Sequence, residues 1–235
     1  MPVLIITGAN RGLGLEFVRQ YAADGWKIIA LGRRSSEELD KLARMYPVQI
    51  ILTNLTDDAS LDNAVAQIAQ QRIDLLINNA GTMGDGSFAD TGLGYKSFGT
   101  FDRDEWLRVF DINVCTPMAL AELLVDKLAA AERPIIVTLS SMLGSNALNT
   151  IGNSYAYRAS KTAVNSIMKS MGINLRERGI TCVAMHPGWV RTDLGGEQAD
   201  LDPVDSVRCM RETLAKLGPD DSGRFLGWDG RDMPY

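Results

Sequence analysis

Val3-Leu4-Ile5-Ile6-Thr7-Gly8-Ala9-Asn10-Arg11-Gly12-Leu13-Gly14 is the stretch from which the fold can be read. Its first residues form a short, unbroken apolar run. Such runs mark strands covered on both faces, as inside a parallel sheet. Three glycines follow at G-x-x-x-G-x-G spacing, and a helical pattern over 12–24 begins among them. Glycine lets the backbone turn sharply and lets an anion approach a helix N-terminus, where unpaired N–H groups and the helix dipole favour negative charge. The spacing differs from the G-x-G-x-x-G fingerprint. A tight strand-to-helix connection would need glycines too, but the place of this turn after the first strand of a βαβ unit points to dinucleotide binding.

Working outward, further strand-like runs lie at 27–31, 48–52, 73–78, 134–139 and 180–186, with a last one at 224–226 before a turn at Asp229-Gly230. Helical patterns fill 37–46, 60–71, 103–131, 155–178 and 203–217. Asp102 with Glu105 predicts a capping box opening the 103–131 helix, and Pro203 suits the first turn of the last one. This alternation predicts an α/β fold: a doubly wound, Rossmann-like parallel sheet with helices on both faces, as a single domain over 1–235. The glycine-rich stretch 82–100 is a long loop, and loops of that length are functional or mobile.

The chain is 235 residues long, 46% hydrophobic and 23% charged, which suffices for one substantial core. Its net charge is −5 and its basic residues are scattered, so nothing suggests nucleic-acid binding by electrostatics. Cys115, Cys182 and Cys209 are far apart and, with the single His186, make no zinc pattern. They read as buried, reduced thiols in a cytoplasmic protein. The opening apolar run is too short for a signal-peptide core. No segment reaches the roughly 18 apolar residues of a membrane span.

Tyr157-Arg158-Ala159-Ser160-Lys161 places a phenol and an ammonium one helical turn apart. An unperturbed tyrosine titrates near pH ~10. A neighbouring cation favours the phenolate and lowers that value, which would tune the pair for proton transfer. The second strand ends Leu31-Gly32-Arg33-Arg34, with no carboxylate to bond a ribose. Arg33 there and Arg11 in the glycine turn suit a 2′-phosphate through charge and forked donors, so the reading is NADPH rather than NADH. The alternative is that Arg33 and Arg34 are solvated helix-start residues. His186 ends a strand before a Pro-Gly turn and is not needed as a base.

With these motifs in order the chain resembles the short-chain dehydrogenase/reductase family over nearly its whole length. The family's T-G-x-x-x-G-x-G motif is Thr7 to Gly14, and its N-N-A-G motif is Asn78-Asn79-Ala80-Gly81. Its Y-x-x-x-K motif is Tyr157 to Lys161, its active-site asparagine matches Asn113, and its P-G motif is Pro187-Gly188, followed by Thr192. Ser-Ser-Met-Leu-Gly-Ser, His-Pro-Gly-Trp-Val-Arg-Thr-Asp and Gly-Arg-Phe-Leu-Gly-Trp-Asp-Gly are similar to the group that holds carbonyl reductase sniffer and C-factor.

The resemblance implies an NADPH-dependent oxidoreductase that reduces an aldehyde or ketone. Tyr157 would be the proton donor, with Lys161, Ser141 (Ser140 as the alternative) and Asn113 as the other catalytic residues. Implied cofactor contacts are Gly8, Asn10, Arg11, Gly12, Leu13, Arg33, Asn54, Leu55, Asn79, Ala80, Gly81, Tyr157, Lys161, Pro187, Gly188, Val190 and Thr192. Many relatives carry Asp where this chain has Asn54. Thr7 and Asn78 would tie strand ends together. Met142, Leu143, Trp189 and Leu194 would line the substrate pocket, with Tyr95 and Phe98 from the long loop. Residues 146–154 lengthen the Ser141-to-Tyr157 interval and would form its rim, and the short 193–202 segment implies an open pocket. A homodimer would form through helices 103–131 and 155–178, with Met168 and Met171 serving either interface or core. Two other functions stay open: an NAD(P)-dependent alcohol dehydrogenase, and a dinucleotide-binding signalling or redox-sensing protein.

Overall fold

The computed structural model describes residues 1–86 and 96–235. Strands β1 (Val3–Thr7), β2 (Lys27–Gly32), β3 (Val48–Leu52), β4 (Leu75–Asn78), β5 (Ile135–Leu139), β6 (Thr181–His186) and β7 (Phe225–Gly227) form one sheet in the order β3-β2-β1-β4-β5-β6-β7. Every pairing between them is parallel. The order reverses between β1 and β4. In open α/β sheets ligands bind at such a switch point, beyond the carboxyl ends of the strands.

Successive strand residues face opposite sides, and the core divides accordingly. Ile5, Leu76, Ile136 and Cys182 pack against α3 (Asp58–Ala66), α5 (Thr116–Ala129) and α6 (Tyr155–Asn174) through Leu61, Leu120, Leu124, Val164 and Met168. Leu4, Ile6, Ile77 and Val183 pack against α1 (Gly12–Ala23), α2 (Glu37–Met45) and α7 (Pro203–Leu214) through Phe17, Val18, Leu39, Val207 and Met210. This is the expected α/β architecture with helices on both faces.

Several local expectations are corrected. The helix expected over 103–131 is α4 (Arg103–Phe110), a π turn at Asp111–Cys115, and α5. Within the π turn the Thr116 N–H reaches the Asp111 carbonyl, five residues back. Pro117 has no N–H to offer the Asn113 carbonyl, so the regular α pattern is broken there. Half of the capping box forms: Asp102 accepts from the Glu105 N–H at 3.0 Å. The Glu105 carboxylate turns instead to the Asp85 N–H (2.8 Å) and the Lys96 ammonium (3.0 Å). The 60–71 helix begins earlier and is shorter, because Asp57 caps it at the Ser60 N–H. Met168 and Met171 belong to the core. Only Cys182 of the three thiols is buried; Cys115 is exposed and Cys209 half-buried. No helix among the described residues is long and apolar enough to cross a membrane.

Candidate active site

The glycine turn sits at the carboxyl end of β1, with Gly8 and Gly12 at φ 68° and 53°. A Cβ at Gly14 would lie 2.2 Å from the Gly8 carbonyl oxygen, and one at Gly8 would lie 3.0 Å from Ala80 Cα. Only hydrogen fits at Gly14, while a side chain at Gly8 would be tight and strained by its positive φ. Asn79 braces the turn: its Nδ2 donates to the carbonyls of Thr7 (2.9 Å) and Gly8 (3.0 Å). Thr7 Oγ1 accepts from the N–H groups of Asn79 and Ala80. Asn78 Nδ2 donates to Thr138 Oγ1, joining β4 to β5. Thr7 and Asn78 therefore tie strand ends, as expected. The first turn of α1 carries no acidic residue, and its N-cap, Arg11, makes no side-chain capping bond. The positive end of that helix suits an anion such as a pyrophosphate.

Of the other expected cofactor contacts, Thr192 meets this turn directly. It stands opposite Gly12, within 3.5 Å of where a Cβ there would lie. Arg11 pairs with Asp193 at 2.5 Å, both largely exposed. Gly188 takes φ 87°, the Pro187 carbonyl accepts from Ser206 Oγ, and Val190 bridges to Leu201. Arg33 is exposed just beyond β2. Asn54 folds back to accept from Thr56, and the Leu55 carbonyl accepts from Thr116 Oγ1.

Tyr157 and Lys161 rise from the first turns of α6, with Lys161 Nζ 5.6 Å from the Tyr157 ring centre and 3.5 Å from where a Cβ at Gly81 would lie. Ser141 lies close enough to Tyr157 to pull the pKa of that phenol down. Ser141 Oγ accepts from the Leu143 N–H at 3.1 Å. Ser140 Oγ points elsewhere, donating to Asn165 Oδ1 at 2.6 Å. The π turn delivers Asn113, whose Nδ2 donates to the Thr82 carbonyl and to Ser160 Oγ while its Oδ1 accepts from the Thr82 N–H.

Electrostatics depart from the expectation that Lys161 lowers the Tyr157 pKa. Burial dominates and pushes Tyr157 up to about 12, with Ser141 pulling the other way. Burial also pulls Lys161 down to about 8, and its ammonium is bound to the Leu139 carbonyl at 2.7 Å. Two desolvated groups thus each favour their neutral form. His186, pushed down to about 4 by burial, is neutral at ordinary pH.

Comparison with known proteins agrees with this fold. The family model for short chain dehydrogenase matches residues 2–202. The chain belongs to the short-chain dehydrogenase family. C-signal of Myxococcus xanthus is 38% identical over 163 residues, 69% of this chain and 93% of its own length. Among solved structures, carbonyl reductase Sniffer of D. melanogaster aligns over 100% of both chains with a TM-score of 0.91 and 32% identity. NADPH-bound carbonyl reductase from chicken fatty liver does so with a TM-score of 0.88, also at 32% identity.

In this short-chain dehydrogenase a pocket of about 300 Å³ opens beside Tyr157. Its walls include Met83, Phe98, Phe101, Trp106, Ser154 and Tyr155. Phe98 and the end of the 146–154 rim are where the sequence puts them. Leu143 packs with Met83 and Tyr157. Met142, Trp189 and Leu194 are exposed and do not line this pocket. Tyr95 lies outside the described residues. Reasoning from motifs missed Phe101 and Trp106, although Trp106 and Phe110 share a helix face and stack at 6.3 Å.

Proposed function

We propose that this short-chain dehydrogenase reduces an aldehyde or ketone with NADPH, residues 1–235 acting as one dinucleotide-binding and catalytic domain. The observation that carries the reading is the meeting of Tyr157, Ser141 and Lys161 beside an aromatic pocket, with Lys161 Nζ 3.5 Å from where a Cβ at Gly81 would lie. When bound, NADPH supplies hydride. The turn 8–14 with the bare N-terminus of α1 would hold its pyrophosphate, and Asn54 and Leu55 its adenine side. Asn79 to Gly81, Tyr157, Lys161 and the segment Pro187, Gly188, Val190, Thr192 would hold its nicotinamide half.

Tyr157 donates its phenolic proton to the carbonyl oxygen, and Ser141 Oγ hydrogen-bonds the same oxygen as negative charge develops there. Lys161 lies close enough to favour the phenolate left behind. Asn113 holds the water through which that proton is replaced. An apolar, aromatic pocket suits a hydrophobic carbonyl compound.

Tyr157→Phe tests the reading, because it deletes only the proton donor. NADPH binding should persist while turnover falls about 10²- to 10⁴-fold. Near-normal turnover would remove Tyr157 from the mechanism.

Preference for NADPH over NADH rests on Arg11 and Arg33 with no carboxylate at the end of β2. Arg33→Ala should raise the KM for NADPH much more than that for NADH; equal effects would end Arg33's role as phosphate reader. The same site run backwards is an NAD(P)-dependent alcohol dehydrogenase. The likeness to C-signal favours a dinucleotide-binding signalling role as second reading. Cofactor consumption across aldehydes, ketones, quinones and alcohols separates these, since tight cofactor binding without turnover would favour signalling. The reading includes a cytoplasmic homodimer formed through α5 and α6.

A further inference from the structure

Gly152, Asn153 and Ser154 take positive φ in succession, at 75°, 56° and 48°, directly before α6. L-residues avoid that region, and two of these three carry side chains. Strained backbone persists only where its surroundings over-determine it, and it gathers at functional sites. Arg158 is one described group that holds this turn. Its side chain is buried, and Nε donates to the carbonyls of Gly152 (2.9 Å) and Asn153 (3.1 Å). Its own N–H closes the turn onto the Ser154 carbonyl at 2.8 Å. Arg158 makes no ion pair with any described residue. A guanidinium whose Nε is committed to two backbone carbonyls holds backbone shape.

What that turn shapes is the pocket. Ser154 and Tyr155 line it along with Tyr157, whereas Arg158 itself does not. We propose that Arg158 is a positioning residue that sets the substrate-facing wall of the pocket by holding the left-handed turn 152–154 in place. The proposal rests on the carbonyl-reductase reading above. The reacting oxygen lies at Tyr157 and Ser141, so the wall meets the substituents of the carbonyl compound. Loss of Arg158 therefore falls on bulky substrates, while the pyrophosphate and adenine sides of the cofactor site, built from other strand ends, and with them most of the cofactor's affinity, are left alone.

The test uses Arg158→Met, which keeps the apolar stem and removes the donors. It compares an aromatic ketone with a short aliphatic aldehyde, and NADPH affinity is followed by cofactor fluorescence. For the ketone, kcat/KM should fall about 10- to 100-fold, the scale of a misplaced substrate. The aldehyde and the NADPH Kd should stay within about 3-fold of wild type, below the scale at which one lost contact counts. Equal losses on both carbonyl compounds, a parallel loss of NADPH affinity, or no loss at all would overturn the proposal. Arg158→Lys makes the same comparison if the methionine variant does not fold.

A second arm needs no turnover. Asn153→Gly removes a strained side chain from the turn, and its effect on Tm should differ between wild-type and Arg158→Met backgrounds, since the two residues share one contact. Additive shifts would sink the turn-holding role. A wild-type protein inactive on every carbonyl compound would sink the function reading instead and leave the Tm arm to judge Arg158.

Discussion

Ser140 and Ser141 are neighbours with opposite commitments. Ser140 gives its proton to the buried Asn165, while Ser141 lies near enough to Tyr157 to pull its pKa down. Ser140→Ala leaves a buried amide oxygen short of a partner and should cost about 1–3 kcal/mol of stability with turnover largely kept. Ser141→Ala should fold normally and lose about 10²- to 10³-fold in kcat, as when an oxyanion donor is removed. Urea melts beside steady-state kinetics read both, and the reverse pattern would exchange the two assignments. The pair was legible in the sequence, but which serine faces Tyr157 is a choice that only tertiary placement can inform. The tyrosine's own acidity was not legible, because spacing shows that an ammonium is near but not how thoroughly both groups are dried.

The elements that carry the site are set by contacts a sequence only hints at. The glycine spacing announced a tight turn, yet the reason for Gly14 is tertiary: helix α1 comes so close that a methyl group would strike the Gly8 carbonyl. Gly14→Ala should cost about 1–3 kcal/mol by overpacking, and the displaced helix should weaken NADPH binding as well. Unchanged affinity in a fluorescence titration would mean that the turn tolerates the shift. The π turn at Asp111–Cys115 was read as plain helix because its apolar pattern runs on. Pro117 was the available signal, as a residue unable to donate to the carbonyl four positions back. The pocket's aromatic side, Phe101 and Trp106, was hidden for a related reason: lining residues follow from how α4 abuts α6, and no motif records that.

Across the whole molecule the strand-and-helix alternation was the legible part, since buried parallel strands leave unbroken apolar runs. One titration should act on the stability of the entire fold. His186 has its pKa lowered from 6.5 to about 4 by burial. Between those values the unfolded chain binds a proton that the folded one refuses, so stability rises with pH across that window and levels off above it. Urea midpoints from pH 4 to 7 should show a shallower rise for His186→Gln, and an identical rise would mean that the imidazole is solvated. The proposed homodimer belongs at this scale too. Ile173 is 64% exposed on the face of α6 turned away from the core. Ile173→Glu should shift sedimentation from dimer to monomer, while a wild-type monomer would end that part of the reading.

Because all seven strands run the same way, the chemistry is crowded onto one rim of the sheet and the opposite rim is left plain. Turns at Gly25, Arg72, Glu132 and Gly179 lie on that plain side, each exposed and just ahead of a strand. They are the natural places to tether this molecule to a bead or an electrode, or to graft a reporter, with the mouth of the cleft still facing the solution.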